Sequence, residues 1–162
     1  MAKDETTNVM RQLSTAGIPF TEHSYDPDKV EGEQVALAIG TKPDETFKTL
    51  VTVSDHGKNY VFVIPVNREL DLKAAARAVG EKAIAMIPQK TLLPLPGYVH
   101  GGCSPVGMKK SFPTVFDESC LSFDAITLSA GKRGRQITIS PRALIDFVRA
   151  STAPLTRAKT KF

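Results

Sequence analysis

The stretch FKTLVTVSDHGKNYVFVIPV, residues 47–66, contains two β-rich runs separated by a short polar segment. The runs 47–54 and 60–66 consist largely of β-branched, aromatic and other apolar residues, a composition typical of strands. The connecting residues DHGKN include a glycine and an asparagine, which permit the backbone conformations of a chain reversal. This stretch therefore predicts a β-hairpin.

Lys48 is unusual in the first strand of this hairpin, which otherwise suits a protein interior. Successive side chains of a strand point to opposite faces, so Lys48 shares a face with Leu50 and Thr52. In one interpretation the strand begins at Phe47 and Lys48 reaches solvent from its edge. In the other, Lys48 points into a cavity whose ligand carries negative charge. The strand alone leaves both interpretations open.

Helical and strand patterns are mixed along the rest of the chain. Helices are predicted at 6–16, at 31–40, after the cap Asp71 and after Ser140 and Pro141. Further strands are predicted at 19–25, 114–118, 125–130 and 136–140. Because these elements show no regular βαβ alternation, we expect one α+β domain. Its sheet should be mixed, mostly antiparallel and curved, or a barrel, with flanking helices.

The composition indicates a folded globular domain. The chain has 162 residues, of which 41% are hydrophobic and 23% charged. Its start is polar and contains acids, and it has no apolar run of bilayer-spanning length, so a cytoplasmic location is expected. Residues 151–162 hold three basic and no acidic residues, whereas residues 1–150 hold 18 basic and 17 acidic residues. We therefore expect a domain over 1–150 and a flexible basic tail over 151–162.

The cysteines and glycine-rich loops give few chemical signals on their own. Cys103 and Cys120 form no CxxC pair, and no metal-ligand spacing connects them with the histidines, so neither a disulfide nor a metal site is predicted. The loop GGCSPVGMKKS, residues 101–111, fails the phosphate-loop pattern because Met108 stands where lysine is required. Cys103 could act as a nucleophile with His100 as its base, or it could be a buried structural residue.

Two loops offer backbone and charge to a ligand. Gly101 and Gly102 lack side chains, so their N–H groups could stabilise an oxyanion, although a tight turn explains them equally well. In LSAGKRGR, residues 128–135, Ser129 could donate a hydrogen bond while Lys132 and Arg133 meet phosphates. The alternative for this second loop is a hairpin connection with solvated charges.

FKTL (47–50), GGCSPVG (101–107) with the lysines that follow it, and SAGKRG (129–134) together resemble motifs of the YbaK family of Cys-tRNA(Pro) deacylases. This family is part of the wider prolyl-tRNA editing superfamily, and the resemblance extends over nearly the whole chain. It implies an α+β editing domain that clears tRNA(Pro) mischarged with cysteine, and possible action on Cys-tRNA(Cys). It implies no cofactor or metal, and a transient complex with prolyl-tRNA synthetase.

Carried over by motif, the resemblance assigns catalytic roles to Lys48, Gly101 and Gly102. It assigns substrate binding to a second group of residues: Tyr25, Thr49, Ser129, Lys132 and Arg133. The implied mechanism is substrate assistance, in which the cysteine thiol of the substrate attacks its own ester. Two departures, Ala130 for glycine and Gln136 for an aspartate common in relatives, keep open a noncatalytic module that binds the tRNA end. An Ala-tRNA(Pro) deacylase also stays open, because relatives of the same fold divide between cysteine and alanine as the cleared amino acid.

Overall fold

The structure, a computed structural model, describes residues 6–91, 94–95 and 97–159. The α-helices within these ranges are α1 (Asn8–Thr15), α2 (Gly32–Ile39), α3 (Leu72–Val79) and α4 (Pro141–Val148). The strands are β1 (Phe20–Ser24), β2 (Phe47–Ser54), β3 (Asn59–Pro65), β4 (Arg68–Leu70), β5 (Ile84–Met86), β6 (Thr114–Asp117), β7 (Ile126–Lys132), β8 (Arg135–Ile139), β9 (Ser151–Ala153) and β10 (Thr156–Ala158). None of the helices described is long and apolar enough to cross a membrane.

The helix ends follow the capping signals of the sequence. The Asp71 side chain accepts hydrogen bonds from the first-turn N–H groups of α3, and the Ser140 side chain accepts one from the first turn of α4. Gly40 and Gly80 end α2 and α3 in the left-handed conformation, which glycine adopts without a steric penalty. All four predicted helices are confirmed.

The predicted hairpin forms the middle of a five-stranded sheet with the order β5-β2-β3-β6-β9. Strands β2 and β3 pair antiparallel, with Lys48 opposite Ile64, whereas β3–β6 and β6–β9 are parallel pairs. A three-stranded antiparallel sheet has the order β1-β8-β7, and β10 pairs with β4. The α+β class with mixed sheets is confirmed, and the described strands form open sheets rather than the closed barrel offered as an alternative.

Both faces of the five-stranded sheet are buried. Phe47, Val51 and Phe116 pack into a cluster shared with α1, α4 and the three-stranded sheet. On the opposite face, Phe62 and Ile64 pack into a second cluster shared with α3. A strand that is buried on both faces has no polar side to present to water, which explains the continuous apolar run of β3.

Residues 151–158 correct the predicted flexible tail. They form β9 and β10, and Leu155 between these strands is completely buried in the second cluster. The N–H of Leu155 donates to the Asp117 carboxylate at 2.9 Å, and its carbonyl accepts from the N–H of Asp71 at 2.8 Å. The domain therefore continues past residue 150. These two strands are polar and only three residues long, so no strand pattern in the sequence predicts them. Residues 160–162 of the predicted tail lie outside the described residues.

Candidate functional site

A cavity of about 310 Å³ lies beside the N-terminal half of β2, which is a suitable volume for a small ligand. Its lining residues come from segments that are far apart in the sequence and meet only in the fold. The apolar lining residues include Val30, Val35, Phe47, Leu50, Val51, Val66, Met86 and Ile87. The polar side chains and loop residues in the lining are Thr46, Lys48, Thr49, His100, Gly101, Cys103, Ser129 and Gln136.

Lys48 is half-buried and lines this cavity. Burial lowers the pKa of its ammonium group, and the charge of Lys159 lowers it further, while Glu31, Glu33 and Glu69 act in the opposite direction. No salt bridge to Lys48 is present in the described part of the chain. A cation that is partly desolvated and lacks an ion-pair partner attracts an anionic or strongly polar ligand.

Two buried polar atoms of the cavity lining have no hydrogen-bond partner among the described residues. They are Thr49 Oγ1 and Gln136 Oε1. By contrast, Thr46 Oγ1 donates to the Lys42 carbonyl at 2.8 Å, and Ser129 Oγ accepts from the N–H of Gly131 at 3.1 Å. Buried polar groups are nearly always paired, so the two exceptions mark places where a ligand supplies the partner.

The two glycines at 101 and 102 do not play equivalent parts. Gly101 lines the cavity with a φ of 86°, a conformation suited to glycine, and its N–H makes no hydrogen bond within the described ranges. The N–H of Gly102 already donates to the Val99 carbonyl at 3.0 Å. A Cβ on Gly102 would lie 3.2 Å from the backbone nitrogen of Arg133, so this glycine allows two loops to touch. Of these two N–H groups, therefore, only that of Gly101 remains available to a ligand among the described residues, whereas that of Gly102 is used.

Lys132 is the last residue of β7 and Arg133 lies in the turn that leads to β8; we call this connection the basic turn. Like Gly102, neither residue belongs to the described lining of the cavity. Arg133 donates from Nε to the His100 carbonyl at 2.6 Å and so holds the loop that carries Gly101. The family resemblance assigns these two basic residues to substrate binding. Both residues are exposed and lie outside the described cavity lining, and Arg133 makes the hydrogen bond to the loop of Gly101.

Tyr25, predicted to bind substrate, also lies outside the described lining of the cavity. Its N–H donates to the carbonyl of Gly134 at 3.0 Å, which ties the end of β1 to the β7–β8 turn. Its hydroxyl oxygen is buried without a hydrogen-bond partner in the described structure. Tyr25 is therefore close to the basic turn in the fold but separate from the cavity wall.

Cys103 lines the cavity but is poorly suited to act as a nucleophile. Its side chain is buried, and burial raises the pKa of the thiol to about 12. A thiol with this pKa stays protonated at neutral pH, and the thiolate is the reactive form. His100, the base predicted for it, also lines the cavity but is exposed, and no hydrogen bond between the two side chains is present among the described residues. The geometry thus favours a structural role for Cys103.

Gln136 also lines the cavity, although the sequence motifs did not assign it to the site. It is paired with Ser129 across β7 and β8, so both side chains reach the same side of the three-stranded sheet. The sequence flagged Gln136 only as a departure from the aspartate of related proteins. A position opposite Ser129 in the neighbouring strand would have placed Gln136 in the site. The sequence alone does not show which residues of β7 and β8 face each other, so this position is known only from the structure.

A separate cluster of Asp55, His56 and Glu81 has ligand atoms within 4.8 Å of one another. His56 Nδ1 lies 3.2 Å from Glu81 Oε1, and the Tyr60 hydroxyl donates to Glu81 Oε2 at 2.6 Å. This hydrogen bond from Tyr60 is the main cause of the lowered pKa of Glu81. These contacts satisfy the groups within the cluster, which lies at the β2–β3 turn, away from the cavity.

Known proteins resemble this chain over most of its length. The model of the aminoacyl-tRNA editing domain family matches residues 26–147. A protein of Enterococcus faecalis, named as the Cys-tRNA(Pro)/Cys-tRNA(Cys) deacylase EbsC, is 42% identical over 161 residues, which cover 96% of this chain and 98% of that protein. A proline–tRNA ligase of Shouchella clausii is 29% identical over 113 residues, which cover 70% of this chain but 20% of the ligase.

The fold is also that of a solved structure described as a trans-editing enzyme for prolyl-tRNA synthetase. The two share a TM-score of 0.80 at 24% identity, over 95% of this chain and 100% of the other. At this level of identity the likeness establishes the fold alone. The family match and the E. faecalis relative establish more, and they confirm the family resemblance seen in the sequence: this chain belongs to the aminoacyl-tRNA editing domain family.

Proposed function

We propose that this protein is an aminoacyl-tRNA deacylase that clears cysteine from tRNA(Pro), and also from tRNA(Cys). The name of the E. faecalis relative supports this substrate class. The observation that carries the proposal is the cavity itself, which combines an unpaired lysine and unpartnered polar atoms with no activated nucleophile in its described lining. Such a site fits a substrate that brings its own nucleophile.

In the proposed reaction the cysteine sulfur of the substrate attacks the ester carbonyl carbon. The carbon–sulfur bond forms, the bond between the carbonyl carbon and the ribose oxygen breaks, and the thiol proton passes to that oxygen. The products are a cyclic thiolactone and tRNA with a free hydroxyl. Holding the thiol near the carbonyl can contribute up to roughly 7 to 11 kcal/mol, which reduces the need for catalytic side chains.

The cavity residues would then stabilise and position rather than react. The Lys48 ammonium would interact with the developing negative charge on the ester oxygens or with the terminal phosphate, and the free N–H of Gly101 would donate to the carbonyl oxygen. Thr49 and Ser129 would orient the aminoacyl group. We assign Gly102 to the support of Gly101, because its own N–H is already bonded to Val99.

The exposed basic turn would contact the tRNA outside the cavity. We propose that Lys132 and Arg133 meet backbone phosphates of the acceptor end, with Tyr25 supporting the turn from beneath. Neutralising Lys132 should flatten the dependence of log affinity on log salt by about 0.7 to 0.9, since each phosphate contact contributes roughly that slope. Lys58, exposed on the β2–β3 turn, provides a control that should leave the slope unchanged.

The direct test is release of the amino acid from Cys-tRNA(Pro), Cys-tRNA(Cys) and Ala-tRNA(Pro), measured side by side with buffer controls. The proposal expects rapid release from both cysteinyl substrates, with the thiolactone detectable as the first product. Preferential release of alanine would instead support an Ala-tRNA(Pro) deacylase. Binding of the charged tRNA without any release would support the noncatalytic module.

Selectivity for one tRNA would come from a partner rather than from so small a domain. We propose a transient complex with prolyl-tRNA synthetase in the cytoplasm. The measurement is the ratio of release rates from Cys-tRNA(Pro) and Cys-tRNA(Cys), with and without the synthetase. The synthetase should raise this ratio in favour of Cys-tRNA(Pro). An unchanged ratio would show that the synthetase does not confer the selectivity.

A further inference from the structure

We propose that Gln136 is a specificity-determining residue whose side-chain oxygen accepts a hydrogen bond from the α-amino group of the bound aminoacyl ester. The inference rests on the proposed function and adds the group of the substrate that is recognised. Gln136 lines the cavity, and its Oε1 is buried without a hydrogen-bond partner in the part of the structure that is described.

The burial of the lining indicates which part of the substrate reaches Gln136. Gln136 is 6% exposed and Ser129 7% exposed, whereas Met86 is 46% exposed and His100 is also exposed. The exposed residues therefore belong to the mouth of the cavity and the buried ones to its inner wall. Because the aminoacyl group is the extreme tip of a charged tRNA, it enters first and meets the inner wall.

The chemistry of the lining favours the amino group as the partner of this oxygen. An amide oxygen accepts hydrogen bonds, and the amino group is the strongest donor on a cysteinyl ester. Within the described lining there is no carboxylate to bind an ammonium group, and Lys48 already places a positive charge in the cavity. A neutral acceptor can bind the amino group in either protonation state and adds no charge to the cavity.

Thr49 Oγ1 is a second unpartnered polar atom in the same cavity. A different group of the substrate can pair with it while the amino group pairs with Gln136 Oε1. A hydroxyl can donate as well as accept, and Thr49 therefore suits the ester oxygen or a ribose hydroxyl. Gln136 Oε1 can only accept. Of the two atoms, Gln136 Oε1 thus places the stricter requirement on the ligand.

The test compares the cysteinyl ester of tRNA(Pro) with the 3-mercaptopropionyl ester of the same tRNA, which keeps the thiol and lacks the amino group. The wild-type protein should favour the cysteinyl ester in kcat/KM by roughly tenfold to a hundredfold, the usual effect of leaving a buried acceptor unpaired. Gln136→Met, similar in size, should lower kcat/KM for the cysteinyl ester by a similar factor and leave the other ester within about twofold. Gln34→Met makes the same change at an exposed site and should alter neither substrate.

Binding of amide-linked, nonhydrolysable versions of the two esters separates this inference from the proposed function. If no ester is cleaved but the wild-type protein binds the cysteinyl version tenfold or more tightly, the proposed function is wrong and recognition of the amino group remains. Equal kcat/KM or equal binding for the two wild-type ligands would overturn the inference, as would an equal loss for both substrates in Gln136→Met. The wild-type comparison decides the matter even if that variant does not fold.

Discussion

Replacing Lys48 with alanine should separate its contribution to catalysis from its contribution to folding. Burial lowers the pKa of Lys48, so the folded protein disfavours its charged form. This cost is present at neutral pH, begins to shrink as the pH rises through the lowered pKa, and is gone only above the ordinary pKa of lysine. Removing the side chain removes the cost, and Lys48→Ala should therefore change the free energy of unfolding by no more than about 0.5 kcal/mol, or increase it.

The effect on turnover should be much larger. A unit charge about 4 Å from a developing oxyanion contributes about 4 kcal/mol at an effective dielectric constant of about 20, before the cost of desolvation. A net loss of about 2.7 kcal/mol corresponds to a hundredfold lower kcat/KM, the size of effect seen when one electrostatic donor is removed from an active site. Lys48→Arg should also lose most activity, because a wide planar guanidinium cannot take the place of a compact ammonium.

The assay is cysteine release from Cys-tRNA(Pro), with thermal unfolding of the same samples. Lys58→Ala is the matched control, because Lys58 belongs to the same hairpin but lies exposed in its turn. It should retain wild-type turnover. A well-folded Lys48→Ala protein with turnover close to that of wild type would refute the reasoning, and the cavity would then lose its proposed catalytic centre.

Three further predictions follow from the same structure. Activity should fall at alkaline pH as Lys48 loses its proton, and Lys159→Met should move this fall to higher pH because Lys159 lowers the pKa of Lys48; identical pH profiles of kcat/KM would contradict this coupling. Cys103→Ser should keep turnover within about threefold, and iodoacetamide should not inactivate the wild-type protein, because the pKa of the Cys103 thiol is raised to about 12. Leu155→Ala should destabilise the protein by about 2 to 5 kcal/mol, whereas Leu37→Ala, at an 83% exposed position, should cost under about 0.5 kcal/mol; equal unfolding midpoints would mean that the C-terminal strands add nothing.

Local signals in the sequence predicted most of the fold. The hairpin of β2 and β3 and the capped helices α3 and α4 all depend on residues close together in the chain, such as Asp71 and Ser140. The strands β9 and β10 depend instead on distant partners, since β9 pairs with β6 and β10 with β4. Nothing in a polar run of three residues indicates such a partner, and this is why 151–158 were predicted as a tail.

In the candidate site, too, short motifs predicted individual residues but not the contacts between distant segments. The motifs identified Lys48, Thr49, Gly101 and Ser129, and all four line the cavity. They could not show that the Gly102 N–H is taken by Val99, because that contact depends on the path of the loop. Composition also leaves open which basic residues face a cavity and which face solvent.

The C-terminal segment contributes to the electrostatics of the cavity as well as to the core. Lys159 is the residue after β10, and its Nζ lies 2.6 Å from Oε2 of Glu33. Glu33 belongs to the first turn of α2, the helix that lines the cavity. Glu33 raises the pKa of Lys48, and the charge of Lys159 opposes it. The positive charge of Lys48 is therefore only partly compensated by the protein. A cation in this state binds an incoming phosphate or oxyanion more strongly than one already neutralised by a carboxylate, because no existing ion pair must first be broken.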